Sequence, residues 1–583
     1  MNLEQLLSDR LAPALAAVAG VAVDPAVRAS PHADFQSGAP LALARTLGRP
    51  PREIAAEVAA TAELDGLAEI AVSGPGFLNL TVSDQVIATA VDAVGGDPRL
   101  GVRPVAASPA AGIPAGGAPA GGSAAAGASA AGASAGGASG AGGRQRIVVD
   151  YSGPNVAKEM HVGHLRSTII GDALARILEW QGHEVLRVNH LGDWGTPFGM
   201  LIEHLISEGA EGEHSLGDLT AFYRAARAEF EASEEFRTRA RLRVVALQSG
   251  DPATRALWRR LVERSEQAFL AVYDRLGVTL GPDDFAGESS YQDALAGVVS
   301  DLDRAGLLVE SDGALCAFPV GFTGRDQTPT PLIVRKADGG FGYAATDLAA
   351  LRHRVRDLGA TELLYVVGAP QRTHFQMVFA VARAAGWLPE SVSAEHIGFG
   401  SVLGADGKML KTRAGETIKL AALLDEAVAR ASAPEIGLAA IKYADLSGDR
   451  RGDYVFDVDR MLASTGNTGP YLQYAYARVR SLFARSDTVP GPVVLDHPAE
   501  RALGLALLGL EPAVRSAAEL REPHRLASYL HDLAATFSSF YERCPVLRAE
   551  PAVRASRLTL ADRVAQTLHI GMFLLGIPVL EEI

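Results

Sequence analysis

Cysteine is nearly absent. Cys316 and Cys544 are the only two in 583 residues and lie far apart, which excludes a four-cysteine zinc ribbon or a disulfide framework and predicts two free thiols. No apolar run is long enough to span a bilayer, although 48% of the residues are hydrophobic, because alanine inflates that figure. The opening MNLEQLLSDR is acidic and amphipathic rather than basic then apolar, so it lacks the form of a secretion signal. A cytoplasmic protein with no membrane partner is expected. A Walker-type phosphate loop is missing too: Val402 stands where its first glycine would fall, and no Ser or Thr follows Lys408. Basic charge is in deficit, with a net charge of -14, which excludes a surface coated in nonspecific nucleic-acid affinity but leaves room for local basic patches. Such patches are candidates at Arg237, Arg239, Arg241 and Arg243, where interleaved glutamates suggest a solvated helix face, and at Arg450, Arg451, Arg460, Arg478 and Arg480.

Charge disappears between Arg103 and Arg144, where nearly every residue is Ala, Gly, Ser or Pro. Such a segment cannot build a core, and residues 103–143 read as a disordered tether with an end-to-end span on the order of 35 Å. The tether divides the chain. Ahead of it, residues 1–102 carry a helical leucine repeat (Leu3, Leu6, Leu7, Leu11, Leu15), then AEIAVSGPGFLNLTVS, two strands about a Gly74-Pro75-Gly76 turn. That predicts a small α+β unit. At this length three or more domains are expected.

Beyond the tether stands the stretch that organises the rest, IVVDYSGPNVAKEMHVGHLRS, residues 147–167. Ile147, Val148 and Val149 predict a buried strand, Gly153-Pro154-Asn155 a turn, and Leu165, Ile169, Ala173 and Ile177 a helix. His161 and His164 therefore open a helix, whose free N–H groups and positive dipole end favour an anion such as phosphate. Gly163 between them leaves room for a flat ring such as a purine. A second strand, HEVLRVNH, leads to LGDWG; strand, helix, strand in this spacing predicts parallel strands of a doubly wound sheet, with ligands at their carboxyl ends. His190, Gly192, Asp193, Trp194 and Gly195 fall at that end, with Asp193 as a helix cap the simpler alternative.

Residues 201–320 read as mostly helical. PLIVRKADGGFGYAATDLAALRHR and TELLYVVGAPQRTHFQMVF then read as two strand-then-helix units completing the sheet, with Tyr343, Thr346 and Asp347 at one junction and Gln371 and His374 at the next. HIGFGSVLGADGKMLK places Lys408 and Lys411 on a loop bounded by Gly404 and Gly407, mobile enough to close on a triphosphate. From about residue 426 helical periodicity takes over, predicting an all-α bundle with Leu526, Leu530, Leu533, Phe537, Phe540 and Tyr541 on one face.

The DYSGPNVAK-x-x-HVGHLRST string resembles the ATP-binding segment of class I aminoacyl-tRNA synthetases, and its flanks resemble those of the arginine enzymes. GFLNL, YAATD, GNTGPYLQYAYAR, PHRLASYL and the terminal LLGIPVLEEI extend the likeness to nearly the whole chain outside the tether. The resemblance implies an α/β, Rossmann-like catalytic core over residues 144–425, with a helical insertion around 201–320. Before it comes an N-terminal α+β domain touching the tRNA elbow, and after it an anticodon-binding bundle over 426–583. It implies ATP with Mg2+, L-arginine and tRNA(Arg) as substrates, no structural metal, and a monomer. His161, Gly163, His164, Lys408 and Lys411 would bind ATP, with His161, His164, Lys408, Lys411 and Lys158 catalytic. Leu410 stands where the lysine loop of the class usually has serine, which leaves the division of labour between its lysines open. Asp150, Tyr343 and Asp347 would hold the arginine side chain, with Asn155 and Gln371 near its amino and carboxylate groups. Two carboxylates and a phenol suit a guanidinium, which offers five donors in a rigid fork. Other class I activities, such as the glutamine or cysteine enzymes, share the ATP site, and a noncatalytic tRNA-binding protein would share the fold.

Overall fold

The computed structural model describes residues 2–105, 143–209, 219–324, 326–410 and 418–580. The expected tether, except for its outermost residues, lies outside them, as does Lys411.

In the N-terminal unit Leu3, Leu7, Leu11 and Leu15 are all buried, so Leu3–Ala19 coils into a helix with Asn2 as its cap. Four antiparallel strands follow, β1 (Val27–Ser30), β2 (Ala33–Ser37), β3 (Ala68–Ser73) and β4 (Phe77–Val82), in the order β1-β2-β4-β3. The hairpin β3–β4 closes over the expected turn. At Gly76, with φ 140°, a Cβ would lie 2.7 Å from the Pro51 backbone, so the turn tolerates only glycine.

The catalytic core is a five-stranded, all-parallel sheet of β5 (Arg146–Asp150), β6 (Glu184–Leu191), β7 (Phe285–Gly287), β11 (Glu362–Tyr365) and β12 (Ser393–His396). Its order, β12-β11-β5-β6-β7, puts the first strand in the middle. From β5 the chain runs through the helix Val162–Trp180 to β6 and then β7 on one side; from β11 it runs through Arg372–Ala384 to β12 on the other. The switch point therefore lies between the carboxyl ends of β5 and β11, where a crevice must open.

Two expectations about this sheet need correction. PLIVR does not join it: its strand, β10 (Leu332–Arg335), pairs antiparallel with β9 (Ala314–Ala317), which pairs with β8 (Val309–Ser311) in a separate small sheet. The reason is visible in burial. Leu332 and Val334 are buried while Ile333 and Arg335 are exposed, the period of a half-buried antiparallel strand, whereas all four residues of β11 are buried. The core's third strand is instead β7, three residues inside the region expected to be mostly helical, between the helices Pro252–Leu276 and Gln292–Arg304.

Helices dominate from Leu420 onward, apart from β14 (Tyr454–Val455), which pairs with β13 (Val402–Leu403) at the base of the lysine loop. Leu526, Leu530, Leu533, Phe537 and Phe540 are buried along one face of His524–Arg543, as expected. Buried ionic contacts weld this bundle to the core. Arg166, on the helix that begins with the two histidines, places Nε 2.8 Å from Asp445 Oδ1. Lys442 Nζ donates to the Leu276 carbonyl at 2.6 Å, with Asp172 nearby; burial pulls this amine down to about 8 against that carboxylate. Cys316 and Cys544 are free and buried. Among the described residues no helix is long and apolar enough to cross a membrane.

Candidate active site

His161 is the cap of the helix Val162–Trp180, and the two histidines cap each other. The Gly163 N–H donates to His161 Nδ1 at 3.0 Å, and the His161 N–H donates to His164 Nδ1 at 3.1 Å. With both Nδ1 atoms accepting, each ring carries its proton on Nε2. Burial, with the neighbouring His161 ring and Lys158 adding to it, pushes His164 down to about 3; burial also lowers His161. The pair is thus two neutral N–H donors at the positive end of a helix. Gly163 is required for a reason the sequence did not suggest: a Cβ there would stand 2.7 Å from His161 Cε1, so the missing side chain makes room for the imidazole itself.

One turn further on, Ser167 ties the two diverging strands together. Its hydroxyl accepts from the Ser152 N–H at 2.8 Å, just past β5, and donates to the Val366 carbonyl at 2.6 Å, just past β11. Between those strand ends opens a cleft of about 420 Å³. Asp150 and Gly153 wall it on one side and Val366 and Gly368 on the other; Gly163 and His164 close one end, Tyr343, Asp347, Gln371 and His374 the other.

The acid-bearing end is assembled from distant segments. Asp347 does not cap its helix, Tyr343–Arg356, which starts four residues earlier; it faces the cleft and is held by His374, whose Nε2 lies 2.6 Å from Asp347 Oδ2. Tyr343 at the helix start is 75% exposed, free to swing over an occupant. A residue sequence reasoning missed is Glu288, directly after β7. Burial, then repulsion from Asp347 and Asp193, raises its carboxyl to about 8, so its charge is felt at Asp347, although Glu288 itself is not among the residues that line the cleft. Only the run Gly287-Glu288-Ser289 at a strand end could have betrayed it, and a three-residue strand leaves little trace. Asp150 lines the cleft, but its Oδ2 lies 2.8 Å from Nη2 of Arg354, a guanidinium only 1% exposed, so it already has an internal counter-ion.

Other expected residues, His161 among them, stand outside this wall. Asn155 is exposed and bridges to Gly192, its Oδ1 filling the place of a Cβ there. Lys158 holds its ammonium 4.4 Å from the centre of the Tyr223 ring. Lys408 sits exposed at the tip of a tight turn, where the Gly404 N–H donates to its carbonyl at 2.8 Å. Past Lys411 the chain returns beside the histidines: the Val162 N–H donates to the Ile418 carbonyl at 3.0 Å, and the Leu420 N–H to that of Met160 at 2.9 Å. The chain just past the lysine loop is thereby anchored to the start of the histidine helix. Among the described residues no three His, Cys, Asp or Glu side chains gather as a metal-holding group.

A larger groove, about 1100 Å³, opens on the helical bundle and is lined by Tyr471, Tyr474, Arg478 and Arg480. Tyr476 is buried in the bundle core instead. Aromatic faces beside guanidinium groups suit stacked bases on a phosphate backbone, and the imidazole donors and acid pair of the catalytic cleft are elsewhere.

Comparison with known proteins agrees with this geometry. Residues 133–458 match the family model described as tRNA synthetases class I (R), catalytic domain; residues 472–583 match the DALR anticodon binding domain, and residues 1–82 the arginyl tRNA synthetase N terminal domain. The chain is 48% identical to an arginine--tRNA ligase of Thermobifida fusca, covering 99% of both, and 45% identical to that of Streptomyces coelicolor, covering 99% of this chain and 98% of the other. Among solved structures, the arginyl-tRNA synthetase of Plasmodium falciparum superposes with a TM-score of 0.81 at 27% identity, covering 100% of this chain and 99% of that one. The Thermus thermophilus enzyme does so with a TM-score of 0.76 at 25% identity, covering 100% of both. A parallel sheet whose strand order reverses beside a histidine-capped helix, and likeness to known arginine enzymes over the full length in three successive segments, together make this chain a member of the arginyl-tRNA synthetases, within the class I aminoacyl-tRNA synthetases.

Proposed function

We propose that this chain is an arginine-tRNA ligase: it activates L-arginine with ATP and esterifies it to the 3' end of tRNA(Arg) for protein synthesis. An arginine carboxylate oxygen attacks the ATP α-phosphorus, the bond to the β-phosphate breaks, and arginyl-adenylate and pyrophosphate form. A terminal ribose hydroxyl of the tRNA then attacks the activated carbonyl and AMP leaves. The first step needs no general base, because the carboxylate is already ionised at neutral pH. The work is positioning and charge stabilisation. His161 and His164 donate Nε2–H bonds to phosphate oxygens as charge builds on them, while Lys408, Lys411 and Lys158 supply cations and Gly163 permits close approach. Magnesium would enter with ATP as part of that substrate and offset its phosphate charge.

Asp347 and Glu288 grip the guanidinium and Tyr343 closes over it; Gln371 and Asn155 serve its amino and carboxylate groups. Asp150, paired to Arg354, shapes that end of the cleft. A site built around a buried guanidinium rejects amino acids without one, whose binding would leave its acids unpaired. The N-terminal unit, residues 1–102, contacts the tRNA elbow, the bundle from about 426 takes the anticodon, and the enzyme works as a cytoplasmic monomer. The observation that carries this reading is a single cleft whose wall holds both the neutral imidazole of His164 and the carboxyl group of Asp347, the latter fixed by His374. Aminoacylation of total tRNA with each amino acid in turn tests it: only arginine should be charged, and charging with glutamine or cysteine in its place would overturn it.

A further inference from the structure

Asp193 ends the β6 strand region at a place where a helix cap would be expected. The cap of the following helix, Thr196–Ser207, is instead Gly195, with no side-chain bond. The Asp193 side chain turns the other way. Only 3% exposed, it takes the Ser289 N–H on Oδ1 at 2.8 Å and the Ser289 hydroxyl on Oδ2 at 2.5 Å, while its own carbonyl accepts from Trp258 Nε1 at 2.8 Å. The parallel register Leu191↔Gly287 brings the two loops side by side. Gly287 has an ordinary φ of -68°, so its need is for space alone: a Cβ there would stand 2.1 Å from Asp193 Oδ2. Asp193 thus touches the residues on both sides of Glu288 and holds the backbone that carries it.

We propose that Asp193 is a positioning residue for amino-acid selection, fixing Glu288 opposite Asp347 through its double hydrogen bond to Ser289. The inference rests on the reading that Glu288 and Asp347 share the substrate guanidinium. Asp193 acts in two ways. Its hydrogen bonds set the loop, and its negative charge beside Glu288 adds to the repulsion from Asp347, with His190 near Asp193 and Asp347, so that this group of carboxyls is discharged best by a cation. A merely structural Asp193 would affect folding and both substrates alike.

The test uses the full-length enzyme with tRNA, ATP and magnesium, comparing Asp193→Asn, Ser289→Ala, Glu288→Gln and the double variant Asp193→Asn/Glu288→Gln. Asp193→Asn and the milder Ser289→Ala should each raise KM for arginine about tenfold while KM for ATP and kcat stay within about twofold. In the Glu288→Gln background, Asp193→Asn should add less than about twofold, since its effect passes through the carboxylate already removed. Calorimetric arginine titrations should show the pH midpoint of binding moving lower in Asp193→Asn and staying in place in Ser289→Ala. Equal losses for arginine and ATP, or additive effects in the double variant, would overturn the positioning role alone. An unchanged KM for arginine in Glu288→Gln would overturn that role together with the assignment of Glu288 to the guanidinium.

Discussion

The two ends of the catalytic cleft are built in opposite ways. The donor end comes from four consecutive residues, His161 to His164, and its chemistry follows from local hydrogen bonds: each imidazole accepts on Nδ1 from a backbone N–H and is left neutral. The acid end comes from four separate stretches, with Asp193 after β6, Glu288 after β7, Asp347 on one helix and His374 on the next. There a proton is held where one would expect a charge. The histidine end is fixed by backbone hydrogen bonds within one helical turn, whereas the acid end draws its carboxyl groups from separate elements and crowds them.

Breaking the donor end should cost most. His164→Ala removes a neutral N–H from the developing phosphate charge and should slow adenylate formation by about 10²- to 10³-fold, measured by pyrophosphate exchange with tRNA present, while tRNA affinity is retained. At the acid end, Asp347→Ala removes a charge-assisted contact and should raise KM for arginine by about 100-fold without raising KM for ATP.

A pH series sharpens the contrast. With Glu288 raised to about 8 in the free enzyme, it carries a proton at neutral pH that an incoming guanidinium displaces. Arginine should therefore bind more weakly as pH falls below 8, by at most about tenfold per unit, and its binding should release protons, as calorimetry in buffers of different ionisation enthalpy would reveal. His164 should add no inflection between pH 5 and 8, since it titrates only near 3. The smallest effect is expected of Gly163→Ala, where the new methyl group displaces the His161 ring: a few-fold loss in kcat, on the order of 1 kcal/mol, with tRNA binding intact.

The same contrast explains what the sequence could and could not reveal. The histidine helix, β5, β6 and the bundle face at Leu526–Phe540 were legible because each is written in local periodicity. So was the ion-paired face of the 234–249 helix, where Arg237 meets Glu234 and Arg239 meets Glu203 and Glu235. Glu288 was not, because nothing near it in sequence announces that Asp347 and Asp193 will crowd it. PLIVR misled as a core strand because four residues cannot say what covers their second face. Asp150 read as a free acid since its partner, Arg354, lies two hundred residues on.

The junction at Arg166–Asp445 and Lys442–Asp172 bears on where the polypeptide can be divided. A chain stopped at residue 425 would strand the buried Arg166 guanidinium without its carboxylate, while Asp172 would lose Lys442 and keep Arg176 as its counter-ion. Removing one member of such a pair commonly costs about 3–5 kcal/mol, a large share of a domain's stability. The helix Pro434–Leu446 therefore belongs, energetically, to the half of the protein that makes adenylate, and a self-sufficient catalytic fragment must carry it.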